Sequence, residues 1–136
     1  MTHAQHQVSI LIVDDHRLTL DLLQIMVSAA FPACRVLTAD SGERALELCA
    51  TQAPHIIVMD ISMSGIDGIE ATRRVKLLLP DTQVVMHSGN DAEIYRKASA
   101  AAGAAAFVSK SRTSSDLIPA ISALLQSTPP ASGSGR

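Results

Sequence analysis

The chain has 136 residues, with 11 lysines and arginines against 13 aspartates and glutamates, and it is 47% hydrophobic but only 2% aromatic. That length holds one folded domain, and a charge this balanced, with no stretch that gathers Lys or Arg, gives no surface built to bind nucleic acid. No apolar run approaches the roughly 20 residues of a membrane helix, and the opening MTHAQHQ lacks the basic and apolar parts of a secretion signal. The expectation is a cytoplasmic protein with no membrane contact.

Residues 1–7 are polar and are expected to be disordered. Val8 to Val13 (VSILIV) is apolar and largely β-branched, as a strand buried on both faces must be, and it stops at Asp14-Asp15. Leu18, Leu22, Leu23, Met26, Val27 and Ala30 then recur at helical spacing until Pro32. Cys34–Thr38 is a shorter, less apolar strand, suited to a sheet edge. Asp40 or Ser41 is placed to cap a helix carrying Ala45, Leu46, Leu48 and Cys49, which ends before Pro54. Cys34 and Cys49 have no paired spacing, so they are expected to be small buried hydrophobes in a reducing compartment. His3, His6, His16 and His55 have no ligand spacing among themselves and read as surface residues.

Ile56 to Met59 form the third strand, and Asp60 stands where the apolar run ends. Gly65 and Gly68 punctuate the following turn, Asp67 is placed to cap, and Ile69, Thr72, Val75 and Leu79 share a helix face until Pro80-Asp81. Gln83–His87 makes the fourth strand, ending at Ser88-Gly89. Asp91 is a candidate cap for a helix from Ala92 to about Ala101, with Gly103 a natural left-handed residue behind it. Ala105–Ser109 is the fifth strand, ending at Lys110. Ser114 or Ser115 is expected to cap the last helix, with Leu117, Ile118, Ile121, Leu124 and Leu125 inward and Pro119 in its first turn. The closing STPPASGSGR has no large apolar group, and residues 128–136 are expected to form a flexible tail or the start of a linker. Strands alternating with helices over 8–127 define an α/β domain, a doubly wound five-stranded parallel sheet with five helices.

The notable polar residues fall at the carboxyl ends of strands, where α/β proteins bind ligands: Asp14 and Asp15, Asp60, Ser88 and Lys110. If the first and third strands are neighbours, three carboxylates converge, and such a group raises a pKa or binds a cation. All-oxygen ligands favour Mg²⁺ with a phosphate beside it. Lys110 would add a positive charge and Ser88 a hydroxyl, an arrangement suited to phosphoryl transfer. Asp60, alone on its loop, is the best nucleophile, while the adjacent Asp14 and Asp15 are better suited to hold metal.

With the acidic pair, the stretch MDISMSGIDGIEATRR, the strand-end Ser88 and the strand-end Lys110, residues 8–127 resemble the receiver domain of response regulators in two-component signalling. The resemblance implies strand order 2-1-3-4-5 and a phosphoacceptor switch on Asp60, charged by a histidine kinase or histidine phosphotransfer protein. It implies that Asp15 ligates Mg²⁺ directly, that Asp14 helps through water, and that Ser62 lends a backbone carbonyl. Ser88 and Lys110 would contact the phosphoryl oxygens, with Ser88 and Phe107 forming the switch. A homodimer on phosphorylation is a further implication. The run GIEATRRVKLLLPDTQVVMHS resembles receivers that precede helix-turn-helix transcription domains; a stand-alone receiver acting by protein binding or phosphotransfer is the alternative. An aspartate-nucleophile phosphatase is disfavoured, because Asp14-Asp15-His16 is not its Asp-x-Asp pattern. A binding module that is never phosphorylated would not need all five site residues.

Three positions depart from the family pattern. Ser64 stands where Pro is common, so the loop after Asp60 is expected to be less rigid. Ser111 follows Lys110 where Pro, often cis, is common; a cis bond before a non-proline residue costs about 2.5–4 kcal/mol, so trans or a strained peptide is expected. His87 stands where an aliphatic residue is usual, either as a hydrogen-bonded core histidine or as a group that makes phosphorylation pH-sensitive near neutrality.

Overall fold

A computed structural model describes residues 7–127. The N-terminal residues before Gln7 and the expected tail at 128–136 lie outside the described residues. In chain order the elements are β1 (Ser9–Val13), α1 (Arg17–Ala30), β2 (Arg35–Ala39), α2 (Gly42–Gln52), β3 (Ile56–Asp60), α3 (Gly68–Leu78), β4 (Gln83–Ser88), α4 (Glu93–Ala101), β5 (Ala106–Ser109), a 3₁₀ turn (Lys110–Arg112) and α5 (Thr113–Ser127). All strand pairs are parallel, in the order β2-β1-β3-β4-β5. This is the doubly wound sheet expected from the sequence, and β2, less apolar than β1 and the least buried of the strands, is at an edge.

The reason for the unbroken apolar runs is visible in the layers. Successive strand residues point to opposite faces. Ile10, Ile12, Val58, Val85 and Val108 therefore pack on Leu20, Leu23 and Val27 of α1 and on Leu117 and Ile121 of α5. Leu11, Val13, Ile57, Met59, Val84 and Met86 pack the other way, on Ala45 and Cys49 of α2 and Ala71 and Val75 of α3. With both faces covered, no position of β1 or β3 is left for a solvated side chain until the strand ends. Cys49 is buried as expected, whereas Cys34 is only half-buried.

Helix ends agree with the sequence in part. Ser41, not Asp40, caps α2 by accepting from the Arg44 N–H at 3.0 Å, and Asp67 caps α3 by accepting from Glu70 at 2.9 Å. Asp91 does not cap α4: the Ala92 N–H goes to the Asn90 side chain at 3.1 Å. α5 begins at Thr113, directly behind the 3₁₀ turn, so neither Ser114 nor Ser115 is its cap and Pro119 lies in the helix interior. Both Pro119 and Ser115 are exposed, so water can satisfy the carbonyl that the missing N–H leaves free. Gly68 is required by close approach. A Cβ there would lie 2.0 Å from the Asp60 carbonyl oxygen, so only glycine lets α3 start against the end of β3.

Candidate functional site

The switch point between β1 and β3 brings Asp14, at the end of β1, to Asp60, the last residue of β3, and the turn after β5 adds Lys110 from across the sheet. Lys110 Nζ donates to Asp14 Oδ2 at 3.0 Å and lies 3.2 Å from Asp60 Oδ1. Asp14 and Asp60 are buried, at 0% and 2% exposure. Asp14 Oδ1 also accepts from the His16 backbone N–H at 2.8 Å. Asp15, more exposed, accepts at Oδ2 from the Ser64 N–H at 3.2 Å.

The charges are far from balanced. Burial first, and then the Asp14 carboxylate, push the pKa of Asp60 up to about 6, against the pull of Lys110. Burial disfavours the Lys110 charge, yet the hydrogen bond to Asp14 and the Asp60 charge win and hold its pKa above the ordinary value. Asp60 Oδ2 is buried and has no hydrogen-bond donor, and Asp15 Oδ1 has only the His16 ring nitrogen beside it, at 3.2 Å. Ligand atoms of Asp14, Asp15, His16 and Asp60 all lie within 4.8 Å of one another. A carboxylate oxygen with no donor, beside further carboxylates converging at one spot, fits a hard divalent cation such as Mg²⁺.

The other residues singled out from the sequence are less directly engaged. Ser62 is exposed on the loop after β3. The Ser88 hydroxyl is buried but turned to the backbone of Asn90, donating to its carbonyl and accepting from its N–H, both at 3.1 Å. Phe107 is half-buried, and Arg96 of α4 lies over its ring, 4.6 Å from the centroid. The loop after Asp60 is tied down despite Ser64. Besides the Ser64–Asp15 bond, Ile66 donates to Glu43 at 3.0 Å and Gly68 to the Ile61 carbonyl at 2.8 Å. A proline at 64 could not make the first of these bonds. Among the described residues no peptide bond is cis, so Lys110–Ser111 is trans.

Three contributors escape a reading of the sequence. His16, a surface residue by its spacing, places Nδ1 3.2 Å from carboxylate oxygens of both Asp14 and Asp15, and its adjacency to that pair is the one signal the sequence offers. Thr113 meets His87 Nε2 at 2.7 Å across 26 positions. Arg96 over Phe107 has no signal in sequence spacing. His87 itself is 2% exposed, and burial together with the Lys110 charge pushes its pKa down to about 4, so it is a hydrogen-bonded core residue that is neutral around pH 7.

A five-stranded parallel sheet in this order, with acids and a lysine gathered at its carboxyl edge, defines a class, and comparison with known proteins agrees. The chain belongs to the response regulator receiver domain family, whose sequence model matches residues 10–122. It is 30% identical over 122 residues to the transcriptional regulatory protein DegU of Brevibacillus brevis, covering 90% of this chain and 52% of that protein. It is 32% identical over 114 residues to the response regulator GacA of Pseudomonas aeruginosa, covering 84% of this chain and 53% of that protein. The chain thus spans about half the length of the curated relatives it matches. Among solved structures, a LuxR-family two-component response regulator from Aurantimonas sp. SI85-9A1 superposes with a TM-score of 0.83 at 27% identity, covering 89% of this chain and 86% of that one. Among the described residues no helix is long and apolar enough to cross a membrane.

Proposed function

We propose that Asp60 is the phosphoacceptor of this receiver and that a phosphohistidine on a histidine kinase or phosphotransfer protein is its donor. The observation that carries this is the buried Asp60 carboxylate, with one oxygen beside Lys110 Nζ at 3.2 Å and the other without any donor. In the transfer, an Asp60 oxygen forms the new bond to phosphorus while the donor's N–P bond breaks. The leaving imidazole takes that electron pair and a proton. Asp60 must be ionised to attack, which it largely is at pH 7 with a pKa of about 6. Lys110 faces the charge that develops on the phosphoryl oxygens, and such preorganised positive charge is the main catalytic need of phosphoryl transfer.

Asp14, Asp15 and Asp60, with the Ser62 carbonyl, would hold Mg²⁺, which would neutralise phosphoryl oxygens when bound. Ser88, released from Asn90, would reach the phosphoryl group, and Phe107 would leave Arg96 and turn inward. That changes the face formed by α4, β5 and α5, including homodimer contacts on it. The similarity to DegU, a transcriptional regulatory protein, supports transcription as the output, through a domain other than this one.

The test is mass spectrometry of wild type and Asp60→Asn after a small phosphodonor such as acetyl phosphate with Mg²⁺. Wild type is expected to carry one phosphoryl group on Asp60 and the variant none; equal labelling would overturn the assignment. For the switch, Ser88→Ala should abolish phosphorylation-dependent dimerisation or binding on that face while leaving Asp60 labelled, as read by size-exclusion chromatography.

A further inference from the structure

We infer that His87 is a positioning residue for Lys110, acting through Thr113: a hydrogen-bond relay runs from the sheet to the backbone that carries the ammonium group. Its kinetic consequence rests on Asp60 being the phosphoacceptor, whereas its geometry does not.

The relay is read from three atoms. The Thr113 hydroxyl donates to the Lys110 carbonyl at 3.0 Å and meets His87 Nε2 at 2.7 Å. A hydroxyl has one proton, and here it goes to the carbonyl, so the Thr113 oxygen accepts from His87 and Nε2 carries the ring proton. Nδ1 is then a bare acceptor, and it is buried with no donor in reach. His87 is held in β4, in register with Asp60 of β3 on one side and Val108 of β5 on the other. The relay therefore ties the Lys110 backbone to the strand adjacent to Asp60. At the far end of the same lysine, Nζ reaches Asp14 at 3.0 Å and Asp60 at 3.2 Å.

Two features explain why such a tie is needed. Ser111 follows Lys110, so no proline ring sets the backbone beyond the lysine. On its α1 side the turn borders a cleft of about 420 Å³, lined among others by Thr19, Leu22, Met26 and His87. With open space on that side, hydrogen bonds from the sheet help to locate the turn. There is also a cost that a purely structural residue would avoid. A buried imidazole with one unpartnered nitrogen is unfavourable where an aliphatic side chain would fill the same strand position with no polar group to satisfy.

The test uses Thr113→Val, which keeps the shape and removes the hydroxyl, with Thr113→Ser and His87→Gln as variants that keep an O–H or N–H donor. The first readout is the acylation rate of Lys110 by an amine reagent, followed by mass spectrometry with Lys97 as internal reference. Thr113→Val should raise Lys110 reactivity roughly 3–10-fold as the ammonium loosens from its carboxylates, and the two conservative variants should match wild type. The second is the rate of Asp60 labelling by acetyl phosphate at saturating Mg²⁺. Thr113→Val should slow it roughly 5–10-fold with Mg²⁺ affinity unchanged, and should slow Lys110→Ala no further. Unchanged Lys110 reactivity in Thr113→Val, or equal slowing with and without the lysine, would overturn the relay. If wild-type Asp60 takes no phosphoryl group, the phosphoacceptor reading falls and Lys110 reactivity alone decides. His87→Leu should reproduce Thr113→Val, and if it fails to fold the threonine variants still give the answer.

Discussion

As the proposed phosphoacceptor, Asp60 would have to be ionised in surroundings that resist charge, and that tension has a measurable sign. Its carboxyl titrates at about 6 in the folded protein because of burial and Asp14, against about 3.9 in an unfolded chain. A raised carboxylate pKa contributes stability that is complete below the unfolded value and is lost as pH rises through the folded one. At pH 7 the folded protein therefore carries the full penalty. Asp60→Asn should raise unfolding stability at pH 7 by roughly 1–3 kcal/mol, an advantage that shrinks between pH 6 and 4 and is gone below. Urea unfolding across that range checks it, and a gain independent of pH would contradict the burial argument. Lys110→Ala works in the opposite direction. It leaves Asp14 and Asp60 facing each other without compensation, so stability at pH 7 should fall by roughly 3–5 kcal/mol.

The elements hold the site by their ends. Gly68 allows α3 to begin against the Asp60 carbonyl, and a Cβ 2.0 Å from that oxygen cannot be accommodated by rotating a side chain. Gly68→Ala should cost more than about 3 kcal/mol, among the largest single-site losses, and should slow Asp60 labelling because β3 and its loop must shift. Ser41→Ala, which removes only the cap of α2, should cost about 1 kcal/mol and leave labelling unchanged; thermal melts with labelling rates distinguish the two. At this scale the sequence was most legible in strand interiors, because strands covered on both faces must be continuously apolar, as Ile10–Val13 and Ile56–Met59 are. It was least legible at helix starts. Ser109, Ser111, Ser114 and Ser115 look alike in sequence, and the 3₁₀ turn over Lys110–Arg112 decided that α5 begins at Thr113.

For the whole molecule, a cation held by the convergent carboxylates would couple its binding to folding. A ligand that binds only the folded state stabilises by RT ln(1 + [L]/Kd), about 2.7 kcal/mol at a hundred times Kd. Mg²⁺ should therefore raise the melting temperature, a chelator should remove the gain, and Asp15→Asn should lose most of it while folding normally. The effect should weaken below pH 6, where Asp60 takes up a proton. Calorimetry with Mg²⁺ and with a chelator at pH 5 and 7.5 separates these outcomes.

By itself the sequence determined the parallel α/β architecture and which polar residues stand at the ends of its strands, because both are written in short-range patterns: apolar runs, and polar residues set where those runs end. Only the tertiary structure decided which of them meet and how they are held. Lys110 reaches Asp14 across 96 positions, Thr113 reaches His87 across 26, and the Ser64 N–H that a proline would lack reaches Asp15 across 49. The physical reason is that hydrogen bonds and Coulomb forces act through space. A single buried carboxylate such as Asp60 is therefore visible in the sequence, but the neighbours that tune it appear only when the strands lie side by side.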